Sequence, residues 1–274
     1  MLTLKAYAKI NLSLGITGVR QNGYHDINTV MQSISLFDKI CIDTDFNGIS
    51  VCCKDNDELC GEDNIAYKAA EYFYVNLKLP PRANIVIEKN IPLAAGLGGG
   101  SADAAAVLVG LNMLCGCPFN DAKLREIALN LGADVPFCIS GGTARAQGIG
   151  EILEPLPAMP PCIIALAKAG KKPSTKDMYA ALDNEKTSTV VDTQKMIKAL
   201  KTGDLSGVCH ALDNCFEAVW GNIDDVKNTL IESGAIAASL SGSGPTVFGI
   251  FENEPKGFEY TASPINCGVE IISE

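Results

Sequence analysis

Histidine is nearly absent from this chain of 274 residues, occurring only as His25 and His210. A serine hydrolase needs an imidazole beside its nucleophile, and no Gly-x-Ser-x-Gly elbow accompanies either histidine, so that chemistry is excluded. Basic residues are also scarce: 22 Lys and Arg stand against 32 Asp and Glu, a net charge of −10. Non-specific nucleic-acid binding needs clustered cations to neutralise phosphates, and that surplus is missing. The nearest approach is Lys168 with Lys171, Lys172 and Lys176, which reads as a solvated loop. No apolar run approaches the ~18–20 residues of a membrane-spanning helix. The first residues read as a strand and lack the basic-then-apolar layout of a signal peptide, so a cytoplasmic protein without membrane or nucleic-acid partners is expected.

Hydrophobic residues are plentiful at 47%, and charged ones make up 20%, a globular composition able to bury a large core. Cysteine is abundant and odd in number, at 11. There is no Cys-x-x-Cys, and Cys52, Cys53 and Cys60 lack a nearby fourth ligand. No metal ligands are therefore assigned, and the cysteines read as small buried hydrophobes in a reducing compartment.

From Tyr7 to Ile16 the chain alternates, with Ala8, Ile10, Leu12 and Leu14 on one face and Lys9, Asn11 and Ser13 on the other. That is a strand with one buried face, whose polar face is ordinarily solvated. Strands are expected at Met31–Phe37, Lys39–Asp43 and Asn84–Lys89, with a helix capped by Asp63-Asn64. Ser101–Leu114 reads as a buried helix, and Asn120 caps another. Pro155, Pro157, Pro160 and Pro161 mark a boundary, giving an N-terminal lobe of residues 1–155 and a C-terminal lobe of 156–274. Beyond it a strand is expected at Cys162–Ala167 and helices at Met196–Lys201, Leu205–Val219 and Ile223–Ser233. Two further strands, Ala235–Leu240 and Val247–Phe251, flank Ser241-Gly-Ser-Gly. The irregular alternation argues an α+β fold.

One segment carries chemistry. Pro92-Leu93-Ala94-Ala95-Gly96-Leu97-Gly98-Gly99-Gly100-Ser101 runs straight into a helix at Ala102. Glycines let successive N–H groups turn inward, and a helix start adds unpaired donors, which together make an oxyanion cradle. Ser101 can cap that helix, donate to phosphate or stand near a phosphate-bound Mg²⁺. No lysine follows the glycines as a P-loop requires, and Ser101 stands where a dinucleotide or protein-kinase loop needs glycine.

This loop with its Ala-rich helix resembles the phosphate loop of the GHMP kinase superfamily. The late segment Ser239-Leu-Ser-Gly-Ser-Gly-Pro-Thr-Val-Phe-Gly resembles its C-terminal glycine motif. Several stretches narrow the resemblance within that superfamily: Ala8-Lys-Ile-Asn-Leu-Ser-Leu, Arg20-Gln-Asn-Gly-Tyr-His, Gly132-Ala-Asp-Val-Pro-Phe, Gly148-x-Gly-Glu151, Ser174-Thr175 and Asn214-Cys-Phe-Glu217. They resemble the member that phosphorylates a cytidine-diphosphate-linked sugar alcohol on the non-mevalonate route to isoprenoid precursors.

The resemblance implies a two-lobed fold, ribosomal-protein-S5-like then ferredoxin-like, using ATP and Mg²⁺. Lys9 and Asp134 match its catalytic pair, though Asp-Val-Pro is also a natural helix start, so Asp134 as a cap stays open. Asn11 shares the strand face of Lys9, so it is expected to reach the same pocket, toward the substrate's hydroxyls. Tyr24 and His25 match residues used on cytosine, and Tyr179 a second stacking aromatic. For Thr175 two readings stay open, a contact to substrate phosphate and an ordinary turn hydroxyl. Asn64 and Lys89 match positions near adenine, while Ser241, Gly242, Ser243 and Gly244 match the closure over the phosphates. Two departures stand out: Ala94 where the family commonly has Gly, and Ala102 where it has a second Ser. A third is the stretch Ala167–Pro173. Other GHMP kinases and a non-catalytic sensor remain rivals, as do monomer and homodimer.

Overall fold

The structure is a computed structural model that describes residues 1–171, 174–185 and 191–273, so Lys172 and Pro173 lie outside the described residues. In chain order it runs β1 (Leu2–Val19), β2 (His25–Asp43), β3 (Gly48–Cys53), α1 (Ile65–Leu77), β4 (Arg82–Glu88), α2 (Gly99–Leu114), α3 (Asp121–Leu129), α4 (Val135–Ser140), β5 (Thr143–Gly148) and β6 (Ile152–Pro155). After the prolines come β7 (Ile163–Lys168), α5 (Thr175–Asn184), α6 (Thr193–Thr202), α7 (Leu205–His210), β8 (Asp213–Asn214) and α8 (Ile223–Glu232). The chain continues with β9 (Ala237–Leu240), β10 (Thr246–Phe251), β11 (Tyr260–Ala262) and β12 (Val269–Ser273).

Two sheets result. The first has the order β12-β1-β2-β4-β3, with β5 and β6 extending from β2 and β8 beside β1; the second runs β11-β7-β10-β9. The fold is thus α+β, with the late strands β8 and β12 returning to the sheet that opens the chain. Helix α2 is buried nearly all round because its residues are small. A Cβ on Gly110 would stand only 2.7 Å from Ile42 Cδ1, so the helix lies as close on the sheet as glycine permits.

The long alternating strand forms, but its polar face is not solvated: Lys9, Asn11 and Ser13 are all buried. Pairing between β1 and β2 shifts register between Tyr7 and Lys9 and again between Asn11 and Ser13. At the first shift the Lys9 N–H donates to the Leu97 carbonyl (2.9 Å), so the glycine loop docks where the ladder is interrupted.

Other expectations are corrected. The two strands expected at 31–43 are one, β2. The helix expected over Leu205–Val219 breaks into α7, the short β8 and a 3₁₀ turn at Cys215–Val219. The cause is Asn214, whose Oδ1 accepts from Phe216 N–H (3.0 Å) while Nδ2 donates to the Leu240 (2.7 Å) and Gly242 (2.9 Å) carbonyls. A helix cannot continue through a residue committed to another strand.

Candidate active site

The glycine loop leaves β4 and turns through three left-handed positions, Ala94 (φ 52°), Gly96 (φ 77°) and Gly98 (φ 72°), before α2 begins. Gly98, not Ser101, occupies the cap position, and no side chain accepts from the helix's first N–H groups. Ser101 sits within the first turn and lines the cavity below. Those N–H groups and the positive end of the helix therefore face the cavity unclaimed by any capping side chain, as an anion site requires. Gly98 also makes room for the Lys9 side chain, because a Cβ there would lie 3.0 Å from Lys9 Cγ.

Lys9 reaches under this loop. Its ammonium donates to Asn11 Oδ1 (2.8 Å) and lies 3.3 Å from Asp134 Oδ2. Asn11 is oriented in turn, since its Nδ2 donates to Thr29 Oγ1 (2.9 Å) and Thr29 donates to the Ser13 carbonyl (2.6 Å). Asp134 does stand at the start of α4, with proline following, but its side chain makes no capping bond. The carboxylate is given to Lys9 instead, and it keeps 33% of its side chain exposed where Lys9 keeps 5%. An exposed carboxylate braced by a sealed ammonium can take a proton from a ligand.

The second glycine motif meets the first backbone to backbone. Ser241 Oγ donates to the Gly96 carbonyl (3.0 Å), and the Thr246 N–H donates to the Ala95 carbonyl (3.3 Å). A Cβ on Gly96 would stand 2.5 Å from the Ser241 carbonyl oxygen, so only glycine fits that contact. A Cβ on Gly242 would lie 3.6 Å from both Asn11 Oδ1 and Lys9 Nζ, which puts this turn beside the Lys9–Asp134 pair. Gly242 and Ser243 line the cavity, whereas Ser241 and Gly244 support them, Gly244 packing against the Trp220 ring. Asn214, Trp220 and Glu217 hold the turn. Trp220 Nε1 donates to the Ser243 carbonyl (3.2 Å), and Glu217 Oε1 accepts from Ser239 Oγ (2.7 Å) and Leu240 N–H (2.8 Å).

At the other end of the cavity lie the aromatics. Tyr24 is 59% exposed on a turn tied down by Arg20, which pairs with Asp26 (2.7 Å) and Glu151 (3.6 Å). His25 stacks on Tyr179 with ring centroids 4.5 Å apart, and Tyr179 meets the edge of Phe216. Burial pushes the Tyr179 hydroxyl well above the usual phenol range, reinforced by the charge of Asp134. Thr175, at the start of α5, also lines the cavity.

Three expected residues lie differently. Asn64 caps α1 through Ala66 N–H (2.8 Å) and donates to the Leu59 carbonyl (2.7 Å); its neighbour Ile65 lines the cavity in its stead. Ala102 is buried in the core. Lys89 lines the cavity, but its ammonium is held between Asp38 and Asp103 (2.7 Å). Burial works against the charge on Lys89, yet the two carboxylates outweigh it and raise the ammonium's pKa. Asp103 moves up as well, because burial outweighs the attraction of Lys89 and Asp38 adds like charge; its Oδ1 has no hydrogen-bond partner among the described residues. Asp38 Oδ1 accepts from Asn90 (2.6 Å) and Ile91 (2.8 Å) N–H, fixing the turn that feeds the loop. Asp38 and Asp103 escape a sequence reading, since an acid in an apolar run signals burial only once its cation is known.

One cavity of about 1040 Å³ spans the glycine loop, the Lys9–Asp134 pair and the aromatic end at Tyr24, His25 and Tyr179. Comparison with known proteins gives the family. The profile described as GHMP kinases N terminal domain matches residues 64–142, and that described as GHMP kinases C terminal matches residues 196–259. The chain is 44% identical over 257 residues to a protein of Acetivibrio thermocellus named 4-diphosphocytidyl-2-C-methyl-D-erythritol kinase, covering 92% of this chain and 91% of that one. It is 43% identical to the protein of the same name from Clostridioides difficile, covering 100% and 98%. A crystal structure of 4-(cytidine 5'-diphospho)-2C-methyl-D-erythritol kinase superposes with TM-score 0.76 at 31% identity, covering 90% of this chain and 89% of that one. A homoserine kinase from Cytophaga hutchinsonii shares the fold at TM-score 0.75 and 18% identity, covering 99% and 97%. With two glycine motifs closing on one lysine–carboxylate pair and such identity over nearly its whole length, the chain is a small-molecule kinase and belongs to the 4-diphosphocytidyl-2-C-methyl-D-erythritol kinases of the GHMP superfamily.

Proposed function

We propose that this enzyme transfers the γ-phosphate of ATP to a hydroxyl of 4-diphosphocytidyl-2-C-methyl-D-erythritol, on the non-mevalonate route to isoprenoid precursors and in the cytoplasm. The observation that carries the reading is the single cavity joining an anion cradle, a braced carboxylate and an aromatic base pocket.

In this reading the N–H groups of residues 96–101 hold the phosphates of the nucleotide. Asp134 accepts the proton of the attacking hydroxyl, and Lys9 keeps Asp134 ionised while offsetting charge on the transferring group. Asn11, fixed by Thr29, orients Lys9 and can meet the acceptor's hydroxyls. Mg²⁺ needs few protein ligands when phosphates supply the rest, and the Ser101 hydroxyl with the exposed edge of Asp134 are oxygen donors that fit it; when bound it would neutralise triphosphate charge. Ser241, Gly242, Ser243 and Gly244 close the phosphates from the other lobe. Tyr24 offers an open ring to the cytosine face. Tyr179 already carries His25 on one face, so the His25–Tyr179 pair serves as a preformed wall of the base pocket.

The test is ADP release with the cytidylyl substrate against mevalonate, homoserine and galactose. ADP formation dependent on the cytidylyl compound alone is expected. Equal or greater turnover with another acceptor would overturn the substrate assignment, and no turnover with any would overturn the catalytic one.

A further inference from the structure

His25 keeps only 8% of its side chain exposed, and its Nε2 lies 2.8 Å from Asp183 Oδ1. Asp183 sits one helical turn beyond Tyr179 on α5, so a single helix face supplies both the ring that stacks on the imidazole and the carboxylate that holds its edge. Helix α5 is itself anchored by a reciprocal cap between Ser174 and Asp177 and by buried Met178 and Leu182. Among the described residues no group hydrogen-bonds His25 Nδ1.

A carboxylate accepts hydrogen bonds and cannot donate them. Asp183 therefore requires the proton on Nε2, and in the neutral ring Nδ1 is left as an acceptor. His25 and Asp183 both line the cavity at its aromatic end. An acceptor there matches the exocyclic amine of cytosine and opposes the carbonyl that uracil carries at the same place.

We propose that Asp183 is a positioning residue that sets the preference for an amino-bearing pyrimidine over a carbonyl-bearing one by fixing the tautomer of His25. This rests on the cytidylyl pocket proposed above.

Calorimetric titration of the full chain with CDP, UDP and ATP separates the possibilities. The unaltered protein should bind CDP in preference to UDP. Asp183→Ala should shrink the CDP-to-UDP affinity ratio by about tenfold, since a misdirected polar contact in a shaped site is costly, while ATP affinity stays unchanged. Asp183→Asn keeps a carbonyl that can accept from Nε2 and should recover part of the ratio. Equal weakening of CDP and UDP in the alanine variant would mean a structural role and overturn the proposal, as would an Asn variant no better than Ala. Failure of the unaltered protein to bind CDP would instead overturn the base-pocket reading, and the proposal with it.

Discussion

The Lys9 ammonium stands 3.3 Å from the Asp134 carboxylate, with the lysine sealed from solvent and the aspartate a third open to it. The asymmetry suits the proposed roles, in which the closed partner fixes charge and position and the open one meets the ligand. Replacing Asp134 with Asn removes the acceptor without changing shape. Turnover should fall by about 10²–10⁴-fold, the usual worth of a positioned base, with ATP affinity and circular dichroism preserved. Unchanged turnover would remove Asp134 from the mechanism.

Gly98→Ala tests the contact between loop and lysine. The left-handed φ of 72° and the 3.0 Å approach to Lys9 Cγ oppose any side chain. A penalty of about 1–2 kcal/mol for that backbone region should raise the KM for ATP roughly tenfold. Steady-state kinetics over an ATP range reads this directly.

Ala94 bears the opposite strain, an alanine already at φ 52°. Ala94→Gly should stabilise the protein by up to about 1 kcal/mol, because relief of strain exceeds the added freedom of the unfolded chain. A lower urea midpoint for the glycine variant would contradict the account.

Asn214→Ala strips donors from the buried carbonyls of Leu240 and Gly242. A loss of about 1–3 kcal/mol is expected, together with weaker ATP binding, since Gly242 then loses its anchor. If stability drops while ATP binding is untouched, Asn214 supports the fold and not the turn.

Asp103 makes stability depend on pH. Its folded pKa is raised above the unfolded value, chiefly by burial. The proton is then held more tightly in the folded state, so the associated stability is complete below the unfolded pKa and is lost as pH rises through the folded one. Between mildly acidic and alkaline pH, the stability of the unaltered protein relative to Asp103→Asn should fall. Parallel urea curves at several pH values would show the difference, and a constant gap would refute it.

The loops were the most legible part of this molecule. Glycine runs announce backbone geometry directly, so Pro92–Ser101 reads as a tight turn into a helix before any fold is known, whereas Ser241–Gly244 is marked by the resemblance. Ser101 was the exception: serine is the usual cap, but Gly98 took the cap position and Ser101 fell within the first turn. Periodicity found β1 but not the burial of its polar face, because the burial comes from α4 and the 241–244 turn arriving from distant sequence. The same limit hid Asp38 and Asp103, which make sense only around Lys89. It also hid Asp183, whose partner lies 158 residues earlier.

Strand β12 has a consequence for synthesis. It pairs with Thr3–Ala6 of β1, so that strand waits for residues 269–273 to cover its outer edge. At about 5–20 residues per second, that edge stays open for roughly 10–50 s on the ribosome. Bare strand edges invite pairing with other chains. The lobe that carries the glycine loop is therefore complete only once residues 269–273 have been made, and a nascent chain halted near residue 155 should present the bare edge of β1 to other chains.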